Sequence, residues 1–338
     1  MNPVGVIDTR EDYLDFAARQ TADSPTFHAW ARGVADDPEV LALIDSLPAP
    51  KRQPNLVLAA ARWHGALPGP YAALREVLVG QWDAVRSTVL ARATQTNEVG
   101  RCATLLPVLA SLPGPLALLE VGASAGLCLQ PDRYSYRFTG DRTAALDPID
   151  GPSPVVLRCQ VLGDAPLPTT LPEVGWRAGI DLHPLDVRDE DAVQWLETLV
   201  WPEHHDRRVR LRAAVEVARR DPPTLVAGDL LEQLPDLVAS VPDDLTLVVL
   251  HSAVVAYLST EARDRFGELV GQLTSAVGGH WLSNEGPRVL PGLAATAVGP
   301  PDPALGPAPF VLALDGRAVG WTQGHGRALQ WLGSPSDL

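Results

Sequence analysis

The residues with the clearest chemical potential lie in one turn, residues 120–126, which read Glu-Val-Gly-Ala-Ser-Ala-Gly. Gly122 and Gly126 permit positive φ and close backbone approach, and the chain from Ser124 onward could open a helix whose N–H groups point back over the preceding strand. Two chemistries fit. The pattern Glu-x-Gly-x-Ser-x-Gly is a variant of the turn that cradles a nucleotide, whereas Gly-x-Ser-x-Gly would present Ser124 as an acyl-transfer nucleophile. An ordinary strand-to-helix turn is the third interpretation.

Such a turn needs a strand to carry it, and the short apolar run at residues 116–121 predicts a buried parallel strand. Similar runs occupy residues 176–181, 224–229, 245–250 and 280–285. Polar residues stand at the ends of these runs: Asp181, Asp229, His251 and Glu285. Because open α/β sheets bind ligands at the carboxyl ends of their strands, the sequence predicts a site where these residues and the turn meet.

The remaining chain predicts two lobes. Residues 1–112 show helical periodicity without strand alternation, which indicates an N-terminal helical lobe. Residues 113–338 predict a Rossmann-like α/β open sheet, with a β-hairpin inserted at about 133–175. An Asp-Gly turn within residues 310–321 predicts a closing antiparallel hairpin, and residues 328–332 predict a terminal strand.

Composition narrows the classes of partner. The 338 residues are 46% hydrophobic and 20% charged, which is typical of a globular protein. A formal net charge of −14 disfavours nucleic acid, and no apolar run reaches the ~20 residues that span a membrane. The three scattered cysteines predict neither a disulfide nor a metal site. The acidic N-terminus lacks a signal-peptide pattern, so we expect a cytoplasmic protein with a small-molecule substrate.

The strand ends can be given roles. A carboxylate at the tip of the second strand, here Asp181, can accept hydrogen bonds from both hydroxyls of a ribose. We predict His251 as a general base, because imidazole titrates near neutral pH, and Glu285 as a second candidate. The structural alternatives are a histidine bonded to backbone and a carboxylate that caps a helix.

A second group of polar residues could line the substrate side. Before the helix that begins near residue 97, Thr96 or Asn97 could act as a cap, while Glu98 and Arg101 could form an exposed i,i+3 pair. The competing prediction is that this stretch faces the pocket. The substrate-side group comprises Gln95, Asn97, Glu98, Arg101, Arg133, Tyr134, Trp201 and Glu203.

An α/β-hydrolase remains an alternative. Its triad runs in the order serine, acid, histidine, which Ser124, Asp315 and His325 satisfy. However, the elbow of that fold normally follows earlier strands, whereas only helices are predicted before this turn. Asp315 lies in the turn of the predicted hairpin and His325 follows that hairpin, which indicates sheet closure rather than two catalytic loops.

The succession of strand endings resembles the class I S-adenosylmethionine-dependent methyltransferases. The first strand ends in Glu-x-Gly-x-x-x-Gly, the second in Gly-x-Asp and the third in Gly-Asp, while the apolar fourth strand ends in a polar residue. A β-hairpin follows, and the resemblance runs from about residue 116 to the C-terminus. The resemblance implies methyl transfer to a small molecule with S-adenosylmethionine as cofactor. It implies that the cofactor is bound by Glu120, Gly122, Ser124, Gly126, Asp181, Gly228 and Asp229.

Four phrases extend a similarity over nearly the whole chain, to an actinobacterial family known as domain-of-unknown-function family 2332. They are residues 95–98, 119–127, 200–203 and 251–254. This similarity implies no activity, so a Rossmann-like protein that binds a nucleotide or a partner without chemistry stays open. An NAD-dependent oxidoreductase is disfavoured, because the turn lacks the glycines that seat a pyrophosphate.

Overall fold

The structure is a computed structural model and describes residues 8–95 and 97–333. The chain divides into two compact units. The helical unit contains residues 8–95 together with Glu190–Val209, and the sheet unit contains Asn97–Asp189 together with residues 210–333. The boundary thus falls near residue 96, where the sequence predicted 112, and a later segment joins the helical unit. No helix of the described residues is long and apolar enough to cross a membrane.

The helical unit is built from short helices, three of which begin at side-chain caps. Asp8, Ser24 and Asp37 each accept hydrogen bonds from backbone N–H groups of the first helical turn, and proline opens the helices that follow Ser24 and Asp37. The helices are α1 (Thr9–Arg19), α2 (Pro25–Ala35), α3 (Pro38–Asp45), α4 (Pro54–Trp63), α5 (Tyr71–Gly80), α6 (Trp82–Ala91) and, in the later segment, α8 (Glu190–Leu199).

The core of the helical unit depends on α8. Trp195 is buried in the same apolar cluster as Tyr13, Trp30 and Leu58. Its indole Nε1 donates to the carbonyl oxygen of Ala93 at 3.0 Å, and its ring meets that of Trp63 edge to face at 5.9 Å between centroids. Residues distant in sequence therefore complete this core, which explains why the sequence predicted a lobe that ended before them.

The sheet unit contains eleven strands and five helices. The strands are β1 (Leu116–Val121), β2 (Ser135–Gly140), β3 (Ala144–Leu146), β4 (Val156–Leu162), β5 (Val174–Asp181), β6 (Thr224–Ala227), β7 (Thr246–Ser252), β8 (His280–Glu285), β9 (Phe310–Leu314), β10 (Arg317–Thr322) and β11 (Ala328–Trp331). The helices are α7 (Arg101–Leu109), α9 (His205–Arg220), which begins in the helical unit, α10 (Leu230–Ala239), α11 (Thr260–Val277) and α12 (Pro291–Ala294).

The strands form one mixed sheet in the order β3-β2-β4-β11-β10-β9-β8-β7-β1-β5-β6. The run β6-β5-β1-β7-β8 is parallel throughout. Numbered along the chain, these five strands have the order 3-2-1-4-5 of doubly wound α/β sheets. The predicted α/β open sheet is confirmed at this level, and β1 is its central strand.

The closing hairpin is confirmed as well. Strands β9 and β10 are antiparallel around Asp315 and Gly316, both of which have positive φ. Two positive φ values are what a two-residue turn between twisted strands requires, and the Asp-Gly pair supplies them at low cost.

The inserted region differs from its prediction. Strands β2 and β3 form an antiparallel hairpin, but β2 and β4, which were expected to pair as a hairpin, are parallel neighbours. Strand β4 also pairs in parallel with β11 near the C-terminus. The insertion therefore extends the sheet beyond the closing hairpin, through pairings between residues far apart in the sequence.

One face of the parallel strands is packed against helices, and Glu120 lies on the other face. Helices α10 and α11 pack on one face, where Leu119, Val121, Ile180 and Val249 contribute to a buried apolar cluster. Because side chains alternate along a strand, Glu120 points to the opposite face. After β1 the chain forms two 3₁₀ turns, Leu127–Leu129 and Pro131–Arg133, where the sequence predicted a longer helix.

Replacing Trp195 tests whether the later segment belongs to the helical core. We expect Trp195→Ala to lower the free energy of unfolding by about 3–5 kcal/mol, because it leaves a cavity among buried aromatic side chains. Trp195→Phe keeps most of the packing and loses the hydrogen bond to Ala93, so about 1 kcal/mol is expected. Denaturant titration measures both. A loss below about 1 kcal/mol for the alanine variant would show that this segment does not support the core.

Candidate functional site

The turn after β1 is tightly wound. Gly122, Ser124 and Gly126 have φ values of +74°, +52° and +68°. A Cβ atom on Gly122 would come within 2.2 Å of Cγ2 of Val254, and one on Gly126 within 2.5 Å of Cγ of Pro223. Both glycines are therefore required by close packing as well as by backbone conformation.

Every N–H group of residues 122–126 donates to an acceptor within the chain. Those of Gly122 and Ala123 donate to the carbonyl oxygen of Ile180, and that of Gly126 to Ala123. That of Ser124 donates to Oδ2 of Asp181, and that of Ala125 to Oδ1 of Asn97 at 3.3 Å. The turn thus directs its N–H groups at its own chain, so a ligand at this edge would be held mainly by side chains.

Asp181 stabilises this turn directly. Its Oδ2 accepts from the N–H of Ser124 at 2.9 Å and its Oδ1 from the N–H of His183 at 2.8 Å. The residue lies at the carboxyl end of β5, beside β1, as predicted. Both carboxylate oxygens are engaged by backbone, so this geometry supports a positioning role for Asp181 more than direct binding of a ribose.

The hydrolase residues are not brought together. Ser124 has the positive φ of a strained turn, but its buried Oγ accepts a hydrogen bond from Nδ2 of Asn97. Asp315 lies at the other end of the sheet, where its carboxylate contacts Nδ1 of His280 and the N–H of Trp281, both at 2.8 Å. Nδ1 of His325 lies 3.4 Å from Oε2 of Glu98. The structure therefore contains no Ser124-Asp315-His325 triad.

His251 and Glu285 form a closed network inside the sheet. His251 is 1% exposed and Glu285 2% exposed. Nδ1 of His251 lies 2.9 Å from Oε1 of Glu285, and Nε2 lies 3.0 Å from the indole Nε1 of Trp281. Since an indole N–H can only donate, Nε2 accepts and Nδ1 donates, which assigns the neutral Nδ1–H tautomer. Both ring nitrogens are occupied, so this arrangement offers no nitrogen to a substrate.

The same glutamate fixes the loop that follows β7. Its Oε1 also accepts from the N–H groups of Val254 and Val255, at 3.0 and 3.1 Å. Val254 is the residue whose side chain packs against Gly122. The pair predicted as catalytic is therefore placed to position this loop.

Glu98 and Arg101 are buried, whereas the sequence offered an exposed pair. Oε1 of Glu98 accepts from the N–H of Gly100 at 3.1 Å and from Nη2 of Arg210 at 3.2 Å. Arg101 donates from Nε to the carbonyl oxygen of Gly324 and from Nη1 to that of Ser252, both at 3.0 Å. The stretch before α7 thus faces the interior. Thr96, the alternative cap, lies outside the described residues.

Glu120 is the exceptional residue of this edge. It is 6% exposed at the end of the central strand, where its register partners are Gly179 on β5 and Leu250 on β7. Its Oε2 is buried and makes no hydrogen bond within the described chain. Burial raises the pKa of Glu120 well above its usual range; Cys128 and Asp181 raise it further, while Arg101 opposes them. A buried carboxylate without a donor is costly, and such groups concentrate at functional sites.

The other predicted residues have structural partners. Gly228 donates its N–H to the carbonyl oxygen of Asp181, and Asp229 caps α10 by accepting from the N–H of Leu231. Buried Tyr134 donates its hydroxyl to the carbonyl oxygen of Leu127. Arg133 is half exposed and pairs with Asp132 and Asp221. Neither these contacts nor this cap indicates a ligand.

Three predicted substrate-side residues belong to the helical unit. Trp201 donates from Nε1 to Oδ1 of Asn55 at 3.0 Å, and its ring stacks on Phe27. Glu203 accepts from Ser24 and from the N–H of Thr26, and these hydrogen bonds lower its pKa against the opposing effect of burial. Gln95 also belongs to this unit. The contacts of Trp201 and Glu203 account for both residues as parts of the helical core.

Three contributors to the surroundings of Glu98, Arg101 and Glu120 could not be predicted from the sequence. Nothing in the sequence distinguishes Arg210 from the arginines around it, yet it reaches the buried Glu98. Cys128 and the loop that carries Gly324 gave no signal, because their approach to Glu120 and Arg101 arises only from the sheet topology. In residues 8–95 and 97–333, no group of three histidine, cysteine or acidic side chains could hold a metal ion.

Glu120→Gln tests whether this carboxylate is kept at a cost in stability. A carboxyl whose pKa is raised by folding binds its proton more tightly in the folded state, so its contribution falls as the pH rises through its unfolded pKa of about 4.3 towards the folded value. We expect the neutral isostere to raise the free energy of unfolding by about 1–3 kcal/mol at neutral pH, and by less near pH 4. Urea titrations at both pH values measure this. A variant less stable than wild type at neutral pH would reveal a stabilising partner of Glu120.

The chain matches a known protein family over most of its length. A family model described as "Uncharacterized protein conserved in bacteria (DUF2332)" matches residues 10–331. No curated protein matches the chain, and no solved structure matches it. Because the match spans nearly all of the sequence, the chain belongs to this family of uncharacterized bacterial proteins.

Proposed function

We propose that this protein is an S-adenosylmethionine-dependent methyltransferase that acts on a small molecule. The observation that carries the proposal is Glu120, a buried carboxylate without a hydrogen-bond donor at the tip of the central strand. The sheet around it has the 3-2-1-4-5 order whose carboxyl edge binds nucleotide-type ligands.

Glu120 fits a cationic group of the cofactor. The amino-acid end of S-adenosylmethionine carries an ammonium group, which would donate to the carboxylate and offset its burial. A phosphate-bearing cofactor fits less well, since its negative charge would meet Glu120 and the N–H groups of the turn are already engaged. This charge preference favours S-adenosylmethionine over a dinucleotide.

The chain contributes binding and alignment to the proposed reaction. When bound, the cofactor supplies an electrophilic methyl group. Glu120 would hold its ammonium, while Asp181 and Asn97 would keep the turn in place through Ser124 and Ala125. Positioning alone supplies a large part of the acceleration of a two-substrate reaction. His251 would act by fixing the loop at Val254, and we do not propose it as a base.

Calorimetric titration tests the proposal. We expect S-adenosylmethionine and S-adenosylhomocysteine to bind saturably, with NAD as the negative control. Glu120→Gln should weaken both by about 10- to 100-fold, which corresponds to the loss of a charge-assisted hydrogen bond. Glu232→Gln removes an exposed carboxylate from α10 and should leave the affinity unchanged. The absence of binding at millimolar concentration would contradict the proposal and favour a non-catalytic scaffold.

The hydrolase alternative has its own test. Because Oγ of Ser124 is bonded to Asn97 while Asp315 contacts His280 and His325 lies beside Glu98, we expect a fluorophosphonate probe to leave Ser124 unlabelled. Peptide mass spectrometry measures the modification, and Ser124→Ala is the control for site assignment. Stoichiometric labelling of Ser124 would restore the acyl-transfer function.

A further inference from the structure

Arg101 is a buried cation near the carboxyl group of Glu120. It is the first residue of α7 and is 6% exposed. Its Nε and Nη1 donate to the carbonyl oxygens of Gly324 and Ser252, which orient the guanidinium without neutralising it. Among the described residues, no carboxylate lies within 4.0 Å of its side-chain nitrogens. The guanidinium carbon also lies 5.7 Å from the centroid of the Phe310 ring, and Nη2 makes no hydrogen bond in the described chain.

Glu120 and Arg101 are near each other but do not pair. Arg101 donates to the carbonyl oxygen of Ser252 at the end of β7, and Glu120 lies opposite Leu250 on the same strand, yet no ion pair joins the two side chains in the described chain. Burying an uncompensated ion costs several kcal/mol, and direct pairing would be the usual remedy. A carboxylate and a guanidinium held apart in this way complement a ligand that carries an ammonium and a carboxylate of its own.

We propose that Glu120 and Arg101 together recognise the zwitterionic α-amino-acid end of a ligand. The carboxylate of Glu120 accepts from the ligand ammonium, and the guanidinium of Arg101 donates to the ligand carboxylate. Arg101, which the sequence placed on the substrate side, thereby becomes a residue that determines which ligands bind. The inference rests on the proposed function for the identity of that ligand, but its chemistry applies to any α-amino acid derivative.

The opposite charges of Glu120 and Arg101 favour an α-amino acid group over other charged ligands. A phosphate or a dicarboxylate would satisfy Arg101 and be repelled by Glu120, and a diamine would show the reverse preference. A guanidinium also matches a carboxylate with two parallel hydrogen bonds, which a single ammonium of lysine cannot reproduce. An α-amino acid group satisfies both side chains at once.

The experiment compares ligands that differ only in this end. S-Adenosylhomocysteine carries the amino-acid group, 5′-methylthioadenosine lacks it, and free methionine carries it without the nucleoside. By calorimetry, wild-type protein should bind S-adenosylhomocysteine at least about 100-fold more tightly than 5′-methylthioadenosine, as expected for two charge-assisted contacts. Arg101→Gln should weaken only the first ligand, by about 10- to 100-fold, and Arg101→Lys should weaken it less. Arg142→Gln, at a half-exposed arginine, is the matched control.

The outcomes distinguish the two proposals. Equal binding of the two nucleosides, or equal weakening of both by Arg101→Gln, overturns the inference while the methyltransferase proposal stands. Binding of methionine that depends on Arg101, with no binding of either nucleoside, supports the inference and contradicts the methyltransferase. No binding of any of the three ligands overturns both.

A second measurement needs no variant. The groups that act electrostatically on Glu120 are Cys128, Arg101 and Asp181, and burial holds a proton on its carboxyl above the usual pH range. Binding an ammonium there requires the ionised form, so S-adenosylhomocysteine should release protons in the pH range above the usual carboxyl pKa, whereas 5′-methylthioadenosine should release none. Calorimetry in buffers of different ionisation enthalpy measures this release. Tight binding without proton release across that range overturns the role of Glu120.

Discussion

The central strand β1 is hydrogen-bonded on both sides, and this constraint fixes the position of Glu120. Strand β5 pairs with it on one side and β7 on the other, residue by residue up to Val121. A strand held in this way cannot rotate a charged residue towards solvent without losing both sets of hydrogen bonds. The fold therefore keeps a carboxylate in the interior. The surrounding residues determine whether that carboxylate accepts hydrogen bonds from its own chain.

Two buried glutamates at the same edge of the sheet differ in the hydrogen bonds that they accept. Oε1 of Glu285 accepts from His251 and from two backbone N–H groups, so it stabilises the loop that carries Val254. Glu120 has no such donors in the described chain, although Cys128, Arg101 and Asp181 lie close enough to affect its charge. A buried carboxylate oxygen without a donor in its own chain supports our proposal that a ligand supplies one.

The sequence predicted those elements that are determined by residues close together in the chain. Apolar runs and their polar endings located the parallel strands, and the Asp-Gly pair located the closing hairpin, because each signal lies within a few residues. Contacts between distant segments gave no local signal. The pairing of β4 with β11 and the packing of Trp195 in the helical unit both depend on the whole fold. Likewise, the spacing that marked Asp181 and His251 as site residues could not show that their polar atoms are engaged by neighbours.

The most direct test of the central claim is a crystal structure of the protein with S-adenosylhomocysteine. We expect the ligand ammonium to lie at the carboxyl end of β1, within hydrogen-bond distance of the Glu120 carboxylate. For a charge-assisted hydrogen bond this distance is about 2.7–2.9 Å. A ligand bound elsewhere, or one whose ammonium points into solvent while Glu120 stays buried without a donor, would contradict it.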